Sequence, residues 1–260
     1  MKLNTSWKIV IIASFFNVLA EYSLRGVNNL VVNQTLLIAI FLNYFFYFAC
    51  LEYLITRYKL HDITIGWVAL FFGLLWQVLG PSVVYIAPQF LSVNWINLVF
   101  VNFVWWVPVQ TILALYIAKR LVSRDQNEIF LSESKFKRMF ILFCMVTLSF
   151  SIFLPFFPIA PLGRLIMIAL AAAVGLNAKK LIRETLKNHQ NISSSRFLDF
   201  ITVFLIVFFI YSSIVLTKEP LFKHTSFMNM DAIRIGFRIH GGIAVILYMY
   251  RFGFQKQIPV

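Results

Sequence analysis

Charged side chains are scarce in this sequence, where Asp, Glu, Lys and Arg together make up 13% of the 260 residues. A soluble domain carries roughly 25% charged residues, and a surface exposed to water cannot be covered with half that amount. Hydrophobic residues reach 60%, and the mean hydropathy is +0.82. The composition therefore excludes a soluble globular domain and requires that most of the surface faces lipid.

Motifs for metal binding, cofactor binding and catalysis are also missing. The two cysteines, Cys50 and Cys144, lie in apolar segments without a Cys-x-x-Cys pair, a pattern that favours two buried apolar side chains. The four histidines are scattered over three polar segments and one apolar segment, which argues against haem or di-iron ligation. The sequence contains no His-Glu-x-x-His motif and no Walker loop. We therefore predict no bound metal ion and no cofactor.

The sequence does contain long apolar segments, each close to the roughly 20 residues that cross a bilayer. Their pattern predicts an all-α, polytopic transmembrane helix bundle of about eight spans (seven to nine), which forms a single integral membrane domain over residues 1–260. Gly80-Pro81 marks a kink or a break in the third span. The predicted spans are residues 7–24, 35–54, 64–86, 95–118, 139–157, 162–178, 198–216 and 231–250.

The distribution of lysine and arginine predicts which side of the membrane each loop occupies. With the N-terminus in the cytoplasm, 17 of the 23 Lys and Arg residues lie on the cytoplasmic side, as the positive-inside rule requires. Both termini are then cytoplasmic. We expect a plasma membrane, with a bacterial or archaeal inner membrane as the default. Topology and anionic lipids account for the net charge of +13, so we expect membrane lipids as partners and no nucleic acid.

Six cations depart from this rule and lie on or near the outer side: Arg25, Arg164, Lys218, Lys223, Arg234 and Arg238. Arg238 would lie about 10 Å along the last span from its outer end, where an unpaired charge costs about 2–3 kcal/mol. Guanidinium groups bind phosphate and carboxylate in a bidentate manner. We therefore predict an outward-facing site for an anionic lipid or an anionic small molecule, formed by Arg164, Arg234, Arg238, His240 and Asp231.

A purely structural interpretation of the same residues stays open. Glu21 and Arg25 are four residues apart, the spacing at which opposite charges pair on a helix, and Asp231 could neutralise its neighbours in the same way. Arg234 could extend to the interface. His240 could act as a general acid or base, or it could bond a neighbouring helix.

Other polar residues in the spans have two interpretations each. Glu52 fits a salt bridge at the cytoplasmic interface with Arg57 or Lys59, and it also fits a proton-coupling carboxylate. The amides fit hydrogen bonds between helices. One face of the fourth span fits either a cavity wall or a packing surface, and it carries Asn94, Asn97, Trp105 and Pro108.

Three functional classes follow from these patterns. The first is a small permease or lipid-handling carrier with an outward-facing anion site. The second is an intramembrane enzyme that acts on a lipid-linked substrate, with His240 and the outer arginines at its site. The third is a non-catalytic membrane scaffold or assembly partner. The sequence leaves the substrate, the protein partners and the oligomeric state open.

Overall fold

The computed structural model describes residues 4–27, 33–123, 130–153, 160–184, 195–216 and 230–250, without the side chains of residues 152–153, 216, 230–234 and 237. The described residues contain eight long helices and no strand, so the predicted all-α class is confirmed. The helices are α1 (Thr5–Arg25), α2 (Gln34–Tyr58), α3 (Asp62–Leu79), α4 (Trp95–Leu121), α5 (Glu133–Phe153), α6 (Pro161–Glu184), α7 (Arg196–Tyr211) and α8 (Met230–Met249).

Six of these helices are long and apolar enough to cross a membrane: α1, α2, α3, α4, α6 and α7 with its continuation to Val215. The length and hydropathy of these helices are compatible with a multi-pass membrane protein. The first turns of α5 carry charged residues. In α8 the apolar segment among the described residues, Arg238–Met249, is shorter than a full span. The total of eight spans and the orientation of the termini stay predictions.

Side chains at the helix starts explain several helix boundaries. The Asn4 side chain accepts a hydrogen bond from the Ser6 backbone N–H at 3.0 Å and caps α1. Asn33 caps α2 and Ser195 caps α7 by the same kind of contact. Each cap satisfies one backbone donor that has no partner within the helix. The predicted second span ended at residue 54, whereas α2 continues one turn further to Tyr58.

The third predicted span was too long. It was expected to reach residue 86, but α3 ends at Leu79, and the chain continues through a short 3₁₀ turn, Val83–Tyr85. Pro81 has no backbone N–H and cannot extend the helix. The Asn94 side chain donates to the Ile86 carbonyl at 3.1 Å, and the Asn97 side chain donates to the Val83 carbonyl at 2.9 Å. The two asparagines therefore fix this loop rather than line a cavity.

Helix α4 changes its hydrogen-bonding pattern along its length. Residues Trp95–Val99 and Ala114–Leu121 are α-helical, but Phe100–Leu113 form a π-helix that contains Pro108. π-Helices are rare, and they occur frequently at functional sites. The distorted segment packs against α3 on one side and α8 on the other.

Helix α1 lies at the centre of the bundle and packs against α2, α4, α7 and α8. Helix α3 carries α6 on its outer side, where Gly175 lies against the Phe71 ring. Only 17% of the apolar window of α6 is buried, compared with 61% for α1. A Cβ atom at Gly175 would lie 3.2 Å from the Phe71 ring, so glycine allows α6 to pack closely on α3 at this point.

Candidate functional site

A buried ion pair lies near the C-terminal end of the central helix α1. The Arg25 guanidinium donates to the Glu21 carboxylate, with Nη2–Oε2 at 3.1 Å and Nε–Oε2 at 3.4 Å. The side chains are 17% exposed for Glu21 and 9% exposed for Arg25. The pairing predicted from their spacing is confirmed, but it lies inside the bundle rather than on its surface.

Two further helices contact the same carboxylate. From α2, the Tyr44 hydroxyl donates to Glu21 Oε1 at 2.7 Å. From α4, Gln110 Nε2 donates to the Tyr44 oxygen at 2.7 Å and to Glu21 Oε1 at 3.4 Å. We refer to Glu21, Arg25, Tyr44 and Gln110 as the Glu21 cluster.

The Glu21 cluster is held in place by a further amide from α1. Asn17 Nδ2 donates to the Gln110 backbone carbonyl at 2.9 Å. Side chains of α1 therefore contact both the backbone and the side chain of Gln110 on α4. This contact is one of the interhelical hydrogen bonds predicted for the amides, as is the 2.8 Å bond from Asn43 to Thr147. Both partners of each bond are buried, which fixes their geometry.

The chemistry of the cluster follows from its charge balance. A carboxylate inside a membrane protein is costly unless a cation and hydrogen-bond donors stabilise it. Here one guanidinium, one phenol and one amide supply the donors, and the ion pair has no net charge. Bonds of this kind are charge-assisted and are stronger than bonds between neutral groups. The arrangement can hold a proton or exchange one of its donors for a polar group of a ligand.

His240 is fully buried on α8, in the same part of the bundle. Its ring lies between Trp105, at 4.3 Å between centroids, and Phe209, at 5.4 Å, and both neighbours are nearly parallel to it. Nδ1 lies 2.6 Å from the Gly236 carbonyl oxygen, so Nδ1 carries the proton. Nε2 has no hydrogen-bond partner among the described residues.

The expected bond from His240 to a neighbouring helix is therefore not the one observed. The histidine bonds a carbonyl of its own helix, one turn earlier, and contacts α4 and α7 only through its ring faces. In the neutral tautomer the unpartnered Nε2 is a hydrogen-bond acceptor. A buried acceptor of this kind is available to a ligand that donates a proton.

Arg238 lies on the other side of the same helix. Its side chain is exposed, whereas the His240 side chain is 0% exposed. Two residues apart on a helix are separated by about 200°, so one ligand group cannot contact both side chains in this arrangement. The exposed neighbours of Arg238 on α8 are apolar, and they include Ile235, Val245 and Met249.

Arg164 begins the separate helix α6. Its guanidinium carbon lies 6.0 Å from the centroid of the Tyr85 ring, in the loop that follows α3. The structure thus places Arg164, Arg238 and His240 in three different surroundings. Helix α6 packs mainly on α3, and α8 packs mainly on α4. The side chains of Asp231 and Arg234 lie outside the described residues.

Two other acids have defined contacts. Glu52 is fully buried and accepts a hydrogen bond from the Ser6 hydroxyl at 3.2 Å, which joins α1 to α2. Asp199 on α7 binds Arg120 on α4 through two contacts of 2.7 and 2.9 Å, and Tyr116 donates to it at 2.7 Å. The contacts of Asp199 fix the C-terminal end of α4 against α7.

Sequence reasoning did not single out Tyr44 or the contact of Gln110 with Glu21. The available signal was a glutamate inside the first span, together with a tyrosine and a glutamine in the middle of two other spans. Among the described residues no group of three or more His, Cys, Asp or Glu side chains is placed to hold a metal ion. Comparison with protein-family models, with curated proteins and with solved structures finds no match to this chain.

Proposed function

We propose that this chain is a small permease or lipid-handling carrier, and that its substrate or a coupled proton is handled at the Glu21 cluster. The proposal rests on one observation: a carboxylate inside the bundle accepts hydrogen bonds from α1, α2 and α4. Ionisable residues inside membrane spans commonly mark substrate pathways and proton relays. A scaffold could replace this ion pair by packed apolar residues at little cost in stability.

The shape of α4 supports a carrier. Carriers commonly bind substrate near the middle of the bilayer, beside helices whose regular hydrogen bonding is interrupted. Gln110 belongs to the π-helical segment of α4, two residues after Pro108. His240 stacks on Trp105 of the same segment and offers a buried acceptor there.

The arginines predicted to bind an anion enter the proposal at the outer surface. Arg238 exposes its guanidinium among lipid-facing side chains of α8, where a lipid phosphate is the complementary group. Arg164 offers a second cation at the start of α6, while Asp231 and Arg234 belong to the first turn of α8. The proposal keeps a single membrane domain of eight spans in a plasma membrane, with both termini cytoplasmic, because this topology places 17 of the 23 cations inside.

The intramembrane enzyme has less support. It requires a nucleophile or a carboxylate that is hydrogen-bonded to His240, and among the described residues no group bonds Nε2. A carrier moves a solute across the bilayer, whereas a scaffold does not. A transport assay therefore separates these two functions.

The test is transport by the purified full-length chain in liposomes. Three compounds would be followed: radiolabelled inorganic phosphate, radiolabelled succinate and a fluorescent phosphatidylglycerol whose crossing is read by dithionite quenching. We expect the wild type to move at least one of them faster than protein-free liposomes. Glu21→Gln should lower that rate at least about tenfold, because the carboxylate can no longer bind a proton or hold its donors.

Glu133→Gln is the matched control, since Glu133 is an exposed acid at the start of α5 that pairs with Lys137. This variant should transport like the wild type. If the wild type moves none of the three compounds, the carrier function is wrong. If Glu21→Gln transports at the wild-type rate, the cluster is not the transport site.

A further inference from the structure

A groove of 250 Å³ opens on the side of the bundle where α3 and α8 flank α4. Val107 and Pro108 of the π-helical segment form its floor, Gly66 and Trp67 form one wall, and Leu247 lies on the other. The lining is almost entirely apolar. The groove lies on a different face of α4 from the Glu21 cluster, which contacts Gln110.

The rim of the groove faces the hydrocarbon core of the bilayer. Ile63 of α3 and Phe103 of α4 line the groove and are 48% and 46% exposed. Both belong to helices long and apolar enough to cross a membrane. An exposed apolar rim at this position is in contact with lipid chains rather than with water.

A glycine creates the width of the groove. A Cβ atom at Gly66 would have one neighbour within 4 Å, Val107 Cγ1 at 3.6 Å, so the space beyond it is open. The wall formed by α3 runs from Asp62 to Leu70, which corresponds to about 12 Å along the helix axis. The long dimension of the groove therefore follows the direction of a lipid chain.

Charged residues lie at one end of the groove. Asp62, the first residue of α3, lines that end and is partly buried. Lys59, which caps the end of α2, is exposed three residues earlier. An acid and a base this close together complement a headgroup that carries both an ammonium group and a phosphate.

We propose that this groove binds a phospholipid with an amine headgroup, phosphatidylethanolamine, from the leaflet next to the α2–α3 turn. One acyl chain lies along Val107 and Pro108, the ammonium group contacts Asp62, and the phosphate lies on the side of Lys59. The headgroup selects the lipid, because the apolar lining alone does not distinguish one lipid chain from another. This inference needs the membrane-spanning helices but not the carrier function.

Native mass spectrometry of the full-length protein tests the groove. The protein would be reconstituted with equal amounts of phosphatidylethanolamine and phosphatidylglycerol and then extracted in a mild detergent. We expect one retained phosphatidylethanolamine on the wild type, and we expect Gly66→Leu to lower the retained fraction about tenfold. Gly242→Leu is the control, because that glycine lies on the exposed side of α8 and its Cβ position has no atom within 4 Å in the part of the chain that the structure describes.

The headgroup contact is tested by Asp62→Asn, which should remove the preference for phosphatidylethanolamine over phosphatidylglycerol. Brominated phosphatidylethanolamine should quench the fluorescence of the wild type more than that of Trp67→Phe, because Trp67 lines the groove. Equal retention by the wild type and Gly66→Leu would overturn the proposal, as would retention of both lipids to the same extent. A dimer that is lost in Gly66→Leu would assign the groove to a second copy of the chain instead.

Discussion

The Tyr248 hydroxyl donates a hydrogen bond to the backbone carbonyl of Phe103 at 2.8 Å, across the interface between α8 and α4. In a π-helix the carbonyl of residue 103 would pair with the N–H of residue 108. Residue 108 is proline, which has no N–H. A side chain from another helix therefore supplies the donor that Pro108 lacks, in a region where no water is available to do so.

Removal of this hydroxyl should destabilise the protein. Tyr248→Phe keeps the ring and leaves the Phe103 carbonyl without its donor, so we expect a loss of about 1 kcal/mol in the free energy of unfolding. The measurement is thermal unfolding of the purified protein in detergent.

The matching experiment adds Pro108→Ala, which restores an N–H five residues after Phe103. In that background Tyr248→Phe should cost much less than it does alone. An equal cost in both backgrounds would show that the hydroxyl does not act through Pro108.

Removal of either charge of the ion pair in the Glu21 cluster should lower the free energy of unfolding. Arg25→Gln leaves the Glu21 carboxylate without its cation inside the bundle, and loss of one partner of a buried pair costs about 3–5 kcal/mol. Glu21→Gln leaves the guanidinium without its anion and should be similarly destabilising. Unfolding in denaturant would measure both variants.

The double variant Glu21→Gln, Arg25→Gln removes both charges and should recover much of the lost stability. It should not recover transport, because the carboxylate is absent. This combination separates the contribution of the pair to folding from its contribution to function. If the double variant lost as much stability as the sum of the losses in the two single variants, the coupling between the charges would be contradicted.

Two glycines should respond in opposite directions to the same change. A Cβ at Gly163 would lie 2.5 Å from the Ser92 carbonyl oxygen and 3.0 Å from Tyr85 Cε1, so Gly163→Ala must push α6 away from the loop after α3. We expect a loss of about 1–3 kcal/mol, as in other overpacked sites. Thermal unfolding measures the change.

Gly242→Ala is the reference for this prediction. No atom of the described residues lies within 4 Å of its Cβ position, and alanine is favoured over glycine in a helix by up to about 1 kcal/mol. A gain of stability at this position and a loss at Gly163 would support the close contact between α6 and the loop. A gain at both positions would contradict it.

The partners of contacts between residues close in sequence could be predicted, whereas the partners of contacts between helices could not. The spacing of Glu21 and Arg25 is sufficient to predict their pairing, because a helix places residues four apart on one face. Pro81 is sufficient to predict a break near the end of α3, but the course of the loop that follows depends on the contacts of Asn94 and Asn97 with that loop.

The central part of the candidate site depends on how the helices pack. Tyr44 reaches Glu21 because α2 lies against α1, and Gln110 reaches it because α4 turns that side chain inward. No pattern within a single span contains this information. His240 shows the same limit, since its neighbours Trp105 and Phe209 come from two other helices.

The π-helical segment of α4 mechanically connects the two ends of the molecule. It lies between the loop after α3, where Asn97 is bonded, and the C-terminal end of α4, where Arg120 binds Asp199. If one residue were removed from a wide turn of this segment, everything beyond it would rotate by about 100°. Such a rotation would withdraw Gln110 from Tyr44 and twist the Arg120 end in the same direction. A single rotation of helix α4 would therefore change two contacts at once, that of Gln110 with the Glu21 cluster and that of Arg120 with Asp199.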